Sequence, residues 1–357
     1  MSTSPIVSVC VASHNHARFL PAMLDGILGQ TFRDFEIIVV DDGSTDNSLE
    51  VLQSYAHRNP EIMRVYTHPG AHNLGISATV NLGFEKSRGK YWCPHASDDV
   101  SYPDRLERQA AFLESHPDVG WVYGIADLID DNGAPLDGQF GSDLSSCTDL
   151  VEHFVWENPI AGPTTMIRRD CVLRIGPFDE AVLYSDWEYW FRLAAHYSPA
   201  FIPGSVAKYR HHGRNTSLEV PWEEQLGRLF QVMKAVRQKA DSTGGLLGRP
   251  RTKAQLDFRK ANLCFEIGDF ESGGHALRSM FESDPTLRLN PKPMAQWLCR
   301  KPDRRLALAV VREFGSPPWW AANMSFVSTL LHIFFYRPLR RHMKGSLARA
   351  RLNLANL

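Results

Sequence analysis

Four apolar runs in the first hundred residues constrain this chain more than any other feature. They fall at IVSVCVA (6–12), FEIIVV within 35–44, MRVYTH (63–68) and KYWCP (90–94). The runs are continuous rather than alternating, so they read as strands covered on both faces. Helical periodicity fills the gaps. Residues 17–30 place Leu20, Met23, Leu24, Ile27 and Leu28 on one face. Residues 46–58 form a helix that Asp46 or Asn47 could cap, and 77–89 a helix stopped by Gly89. A helix over 103–117, with Pro103 at its start and Pro117 past its end, leads into a strand at 119–129. Strands alternating with helices predict an α/β fold: a mostly parallel sheet flanked by helices.

Such sheets bind ligands beyond the carboxyl ends of their strands. The polar clusters fall there: Ser13-His14-Asn15 after the first run, Asp41-Asp42-Gly43-Ser44 after the second, His72 to Gly75 after the third, and Ser97-Asp98-Asp99 after the fourth. Adjacent acids repel, and no basic residue follows before Arg105. Asp98 and Asp99 therefore ask for a positive counterpart, such as a divalent cation. An isolated pair of acids is usually a solvated turn, but four polar clusters on one edge favour an active site.

From 130 to 220 the rhythm loosens. Residues 163–170 and 200–210 read as strands. Between them, 184–197 reads as a helix starting near Asp186, with Trp187, Trp190, Phe191 and Ala194 toward a core. Taken alone, Asp186 reads as an N-cap. Residues 241–250 suggest a linker or exposed turn, and 260–285 a helical hairpin. The expected organisation is an α/β domain over 1–220 and a mostly helical region over 221–357.

A formal net charge of -1 gives no global field toward nucleic acid, and no such partner is expected. The six cysteines show no regular spacing, which fits reduced thiols in a cytoplasmic protein. No basic n-region with a long apolar core opens the chain. The longest apolar stretch, 326–336, has about half of the ~20 residues a spanning helix needs. The tail from Arg337 to Leu357 carries six arginines and lysines and no acid. With Trp319, Trp320 and the apolar stretch before it, this tail could pack on the first domain. Alternatively it could anchor at the inner face of a membrane, with Arg337, Arg340, Arg341 and Lys344 on anionic headgroups. P-loop, nucleophile-elbow and HExxH motifs do not occur, which removes NTPase, α/β-hydrolase and zincin chemistry.

The segments VSVCVASHNHARFL…EIIVVDDGSTDNS, HNLGISATVNLGFEKSRGKYWCPHASDD and YSDWEYWFRLA, in that order, resemble the family 2 glycosyltransferases of GT-A fold. The resemblance spans roughly residues 6 to 215. It implies inverting transfer of a sugar from a nucleotide-diphosphate donor, a UDP-, GDP- or dTDP-sugar, to an acceptor hydroxyl. It places Ala12, Ser13, Asn15, Asp42, Asn73 and Gly75 at the nucleotide. Asp42 would accept a hydrogen bond from the base. Asp98 and Asp99 match the metal-and-ribose motif, for Mn²⁺ or Mg²⁺, and Asp186 matches the catalytic base, with Glu188 as the fallback. His212 matches a late histidine near the diphosphate and metal, with His211 as the neighbouring candidate. Three positions depart from the usual pattern: Ala12-Ser13-His14-Asn15 in the first loop, Ala96 two residues before Asp98, and Ser185 before Asp186. By family analogy the acceptor is a glycan or lipid-linked glycan in bacterial surface polysaccharide or lipopolysaccharide assembly. A protein or small-molecule acceptor, and a non-catalytic nucleotide-sugar-binding or scaffolding role, are the rival readings.

Overall fold

The computed structural model describes residues 4–147, 150–156, 158–182, 185–213, 215, 249–266 and 269–288, with single positions at 232, 235, 236, 306, 309 and 310. The elements of the first half are β1 (Val7–Ser13), α1 (Leu20–Leu28), β2 (Phe35–Asp41), α2 (Ser48–Arg58), β3 (Met63–Thr67), α3 (Ile76–Lys86), β4 (Tyr91–Ala96), β5 (Val100–Ser101) and α4 (Arg105–Ser115). They are followed by β6 (Trp121–Ile129), β7 (Pro135–Phe140), α5 (Leu150–Trp156), β8 (Met166–Arg168), α6 (Arg169–Ile175), α7 (Ser185–His196) and β9 (Pro199–Arg210). A second compact unit begins at Gly248, and its described helices are α8 (Pro250–Glu266) and α9 (Phe270–Ser283). The expected division after 220 falls outside the described residues.

The sheet runs β3-β2-β1-β4-β8-β6-β9-β5, with β7 on the outer part of β6. Every residue of β1 and β2 is buried, as continuous apolar runs require. Leu20, Met23, Leu24 and Ile27 of α1 pack on this half of the sheet, while β7 is exposed up to its last residue, Phe140. β1 pairs in parallel with both β2 and β4, and β2 with β3. In these ladders Ser13 lies opposite Asp41, Asp41 opposite Thr67, and Ala12 opposite Ala96. The four polar clusters thus leave the sheet at one level.

Two local readings change. Helix α3 ends at Lys86 rather than Gly89, because Ser87 Oγ donates back to Phe84 O at 2.6 Å and closes the last turn. Gly89 instead allows close approach: a Cβ there would lie 2.6 Å from Ser8 N. Residues 163–170 contain a short 3-10 turn, the three-residue strand β8 and the start of α6 rather than one strand. The strand at 119–129 forms as expected and keeps the direction of β1 to β4, with the antiparallel β8 inserted between it and β4, and it pairs in parallel with β9. β6 runs antiparallel to β8, which is itself antiparallel to β4, so the sheet is mixed beyond β4.

In the second unit, α8 and α9 bury Phe258, Ala261 and Phe265 together with Ala276, Leu277 and Met280. Asp269 Oδ1 accepts from Ser272 N at 3.0 Å and caps α9. A Cβ on Gly273 would meet the Phe265 ring at 2.5 Å, which explains the small residue there. No helix among the described residues is long and apolar enough to cross a membrane. The Trp319–Trp320 and basic-tail segment lies outside the described residues.

Candidate active site

The loops after β1, β2 and β3 form one hydrogen-bonded unit. Asn15 adopts a left-handed backbone (φ 52°), which asparagine tolerates better than most side chains. From there its Oδ1 accepts from Thr45 N at 2.7 Å and Asp46 N at 3.3 Å, and its own N–H donates to Ser44 Oγ at 2.9 Å. His14 Nδ1 lies 2.9 Å from Asp42 O, and Asn73 Nδ2 lies 3.3 Å from the same ring nitrogen. Gly43, at φ 69°, packs under this junction: a Cβ there would stand 2.7 Å from Asn73 N.

Asp42, expected at the base, is buried, with its carboxylate turned to the chain. Its two oxygens accept from Leu74 N at 2.7 Å and Gly75 N at 3.0 Å. Its visible work is to shape the loop that carries Asn73 and Gly75. Gly75 itself, at φ 90°, occupies a conformation costly for any residue with a Cβ. Ala12 and Ser13 are buried at the end of β1, and Ser13 Oγ has no hydrogen-bond partner among the described residues.

A second group gathers at the end of β4. Asp98 Oδ2 accepts from His212 Nε2 at 3.0 Å, joining β4 to the turn that follows β9. That turn is held by Asn215, whose Oδ1 accepts from His212 N at 2.6 Å and whose Nδ2 donates to Arg210 O at 2.9 Å. His211, the neighbouring candidate, is exposed and only continues the backbone pairing to Ile129 O. His16 was not anticipated. It reaches the same place from the loop after β1, with one ligand atom from each of His16, Asp98 and His212 lying within 4.8 Å of the others.

Asp99 does not join these three. It is buried on the other side of the turn, where its Oδ1 accepts from Arg210 N at 2.8 Å and its Oδ2 has no partner among the described residues. Burial pushes its carboxyl well above the usual range, and the charge of Asp98 pushes it further. For Asp98, burial also acts upward, but the His212 hydrogen bond and the nearby His16 hold the carboxyl below its ordinary value. Burial keeps the His16 imidazole below its ordinary value, so its neutral form, the one that ligates metals, is favoured. Arg210 is a positive group beside the acids, and its Nε donates to Asp98 O at 2.8 Å. An imidazole–carboxylate set of this kind fits a divalent first-row cation.

Asp186 lies in the first turn of α7, inside the helix rather than at its cap. Its Oδ2 accepts from Asn158 Nδ2 at 3.1 Å and its Oδ1 from Trp187 N at 2.7 Å. Burial raises its carboxyl above the ordinary value, and these bonds only partly oppose the shift. Glu188, the fallback base, is engaged by a two-pronged ion pair with Arg192, at 2.7 and 2.9 Å. Trp187 donates to Phe154 O, and Trp190 stacks on Trp121 with ring centroids 5.9 Å apart, so both tryptophans belong to the core. Ser185 stands where an acid is usual. Its Oγ accepts from Ser77 Oγ at 2.8 Å, which ties the start of α7 to the start of α3.

A family model described as glycosyl transferase family 2 matches residues 8–172, so Asp186 and His212 lie past its end. An uncharacterized glycosyltransferase of Methanocaldococcus jannaschii is 28% identical over 218 residues, 60% of this chain and 73% of the relative. One from Rickettsia prowazekii is 30% identical over 222 residues, 60% and 66% of the two chains. Among solved structures, TarS residues 1–349 of S. aureus with UDP-GlcNAc matches with a TM-score of 0.55 at 17% identity, over 93% of this chain and 91% of that one. The mannosyltransferase PcManGT of Pyrobaculum calidifontis with GDP-Man and Mn²⁺ matches with a TM-score of 0.53 at 18% identity, over 94% and 88%. The sheet of this chain and its sequence relatives agree: through its first unit the chain belongs to glycosyl transferase family 2 and has the GT-A fold.

Proposed function

We propose that this glycosyltransferase takes its sugar from a nucleotide-diphosphate donor and inverts the anomeric centre, with Asp186 as general base. The 3.0 Å contact of Asp98 with His212 carries this reading. It brings a residue from the end of β4 and one from beyond β9, 114 positions apart, to one point on the ligand-binding edge of the sheet. The relatives' names support the class of reaction, and the neighbours solved with UDP-GlcNAc and GDP-Man support the class of donor.

In this reading the loops carrying Ala12, Ser13, Asn15, Asn73 and Gly75 shape the nucleotide site, and Asp42 holds the last of them closed. Asp98 and His212 hold a divalent cation, Mn²⁺ or Mg²⁺. When bound, that cation neutralises charge developing on the departing diphosphate. Asp99 supports the turn through the hydrogen bond that it accepts from Arg210 N. Asp186 takes the proton of the acceptor hydroxyl as the new C–O bond forms, and its raised basicity suits that task. Asn158 orients the carboxylate. The acceptor in this reading is a glycan or lipid-linked glycan of the bacterial envelope, met at the inner face of the cytoplasmic membrane.

The test is calorimetric titration of UDP, GDP, CDP and dTDP, with and without Mn²⁺, into wild type and Asp98→Ala. Metal-dependent binding of one nucleotide, lost in the variant, is expected. A folded protein that binds none of the four would sink the donor reading.

A further inference from the structure

His16 enters the site from an element that the Asp98–His212 pair does not use, and it is held on several sides. Its backbone N–H donates to Ser48 Oγ at 3.0 Å, and its Nδ1 lies 2.8 Å from Ser97 Oγ. Its ring meets those of Phe19 and His212 edge-on, each with centroids 5.6 Å apart. No hydrogen bond among the described residues engages its Nε2. A surface histidine is rarely fixed so closely.

One ligand atom from each of His16, Asp98 and His212 lies within 4.8 Å of the other two. Bonds of about 2.2 Å put two ligands of one ion about 3 Å apart when adjacent and about 4.4 Å apart when opposite. Small side-chain movements would let all three share an ion.

We propose that His16 is a third protein ligand, so that the site is a two-imidazole, one-carboxylate set that prefers Mn²⁺ or another first-row transition ion to Mg²⁺. The proposal rests on the metal-dependent reading above and specifies which ion that site takes. Imidazole suits transition ions, whereas Mg²⁺ is held by oxygen. Asp98 with a single histidine would discriminate less. Ser97 is then a positioning residue: by holding Nδ1 it leaves Nε2 as the ligating nitrogen and fixes the plane of the ring.

The experiment titrates Mn²⁺ into the full chain, alone and with UDP or GDP present, and reads the paramagnetic resonance of the free ion. Mg²⁺ serves as competitor. His16→Ala should weaken Mn²⁺ binding at least about tenfold while changing Mg²⁺ competition little, and Asp98→Ala should remove both. If Asp98→Ala loses the ion and His16→Ala keeps wild-type affinity, His16 is not a ligand and the donor-site metal stands. If neither variant changes binding, the metal site itself falls. Electron-spin-echo modulation of Mn²⁺ on the wild-type protein needs no substitution: two coupled imidazole nitrogens are expected, and one would overturn the proposal.

Discussion

Burial and the neighbouring charge lift the Asp99 carboxyl well above its ordinary range, while the His212 hydrogen bond and His16 outweigh the effect of burial at Asp98. The two carboxyls are thus pushed in opposite directions, which eases the repulsion that made their pairing look costly. Asp99→Asn presents a neutral side chain that can still accept from Arg210 N. It should leave metal-dependent nucleotide affinity close to wild type, whereas Asp98→Asn should cost at least about tenfold. Calorimetry on the two variants separates the acids. Asp186 has a different consequence. The unfolded chain releases this proton at the ordinary carboxylate value and the folded chain keeps it to higher pH. The folded state is therefore favoured at this group in acid, and that advantage is lost as pH rises through the raised value. Asp186→Asn should lower kcat by roughly 10²–10⁴-fold. It should also melt at a higher temperature than wild type at pH 8, by a margin that shrinks toward pH 4.5. In the wild type, kcat/KM should fall on acidification at a pH above the ordinary aspartate value. Asp98 and Asp186 stood out in the chain by motif order. His16 did not, because its partners lie at 97, 98 and 212, and only the fold brings those positions to the end of β1.

At the scale of elements, loops matter more than the strands that present them. Gly43 sits where the β2 loop meets the β3 loop, at φ 69°, with no room for a Cβ beside Asn73 N and Ala71 O. Gly43→Ala should cost about 1–3 kcal/mol from backbone strain and displacement of its neighbours. It should also weaken nucleotide binding, because the same movement loosens the Leu74 and Gly75 N–H bonds to Asp42. Denaturant melts and nucleotide titration read the two effects separately. An unchanged nucleotide affinity in a destabilised variant would show that this loop does not shape the donor site. Strands β1 to β4 and helices α1 to α4 were legible in the chain because each has a strong local period and adjacent parallel partners. In the second half of the sheet β6 and β9 were legible as well, but β8 was not. β8 has three residues, too few for a period, and it joins β4 to β6 by antiparallel pairing between residues 44 to 77 positions apart. Such pairings leave no mark in a local window.

At the scale of the whole molecule, every residue assigned to the donor and base lies between Ala12 and Asn215, inside the first compact unit, which ends at Leu247. That unit has its own core on β1, β2, β4 and α1, and the helical hairpin of the second unit buries a separate apolar face. The family match ends at 172, before the second unit begins. If donor chemistry is confined to the first unit, a fragment of residues 1–247 should bind its nucleotide with an affinity within about twofold of the full chain, as expected for independent regions. It should also keep the Mn²⁺ dependence. Transfer to the natural acceptor is the activity such a fragment would lose if the second unit presents that acceptor. A folded fragment with intact nucleotide binding and no transfer would assign acceptor delivery to residues 248–357. A folded fragment that binds nucleotide tenfold more weakly would place part of the donor site in the second unit and break the division of labour argued here.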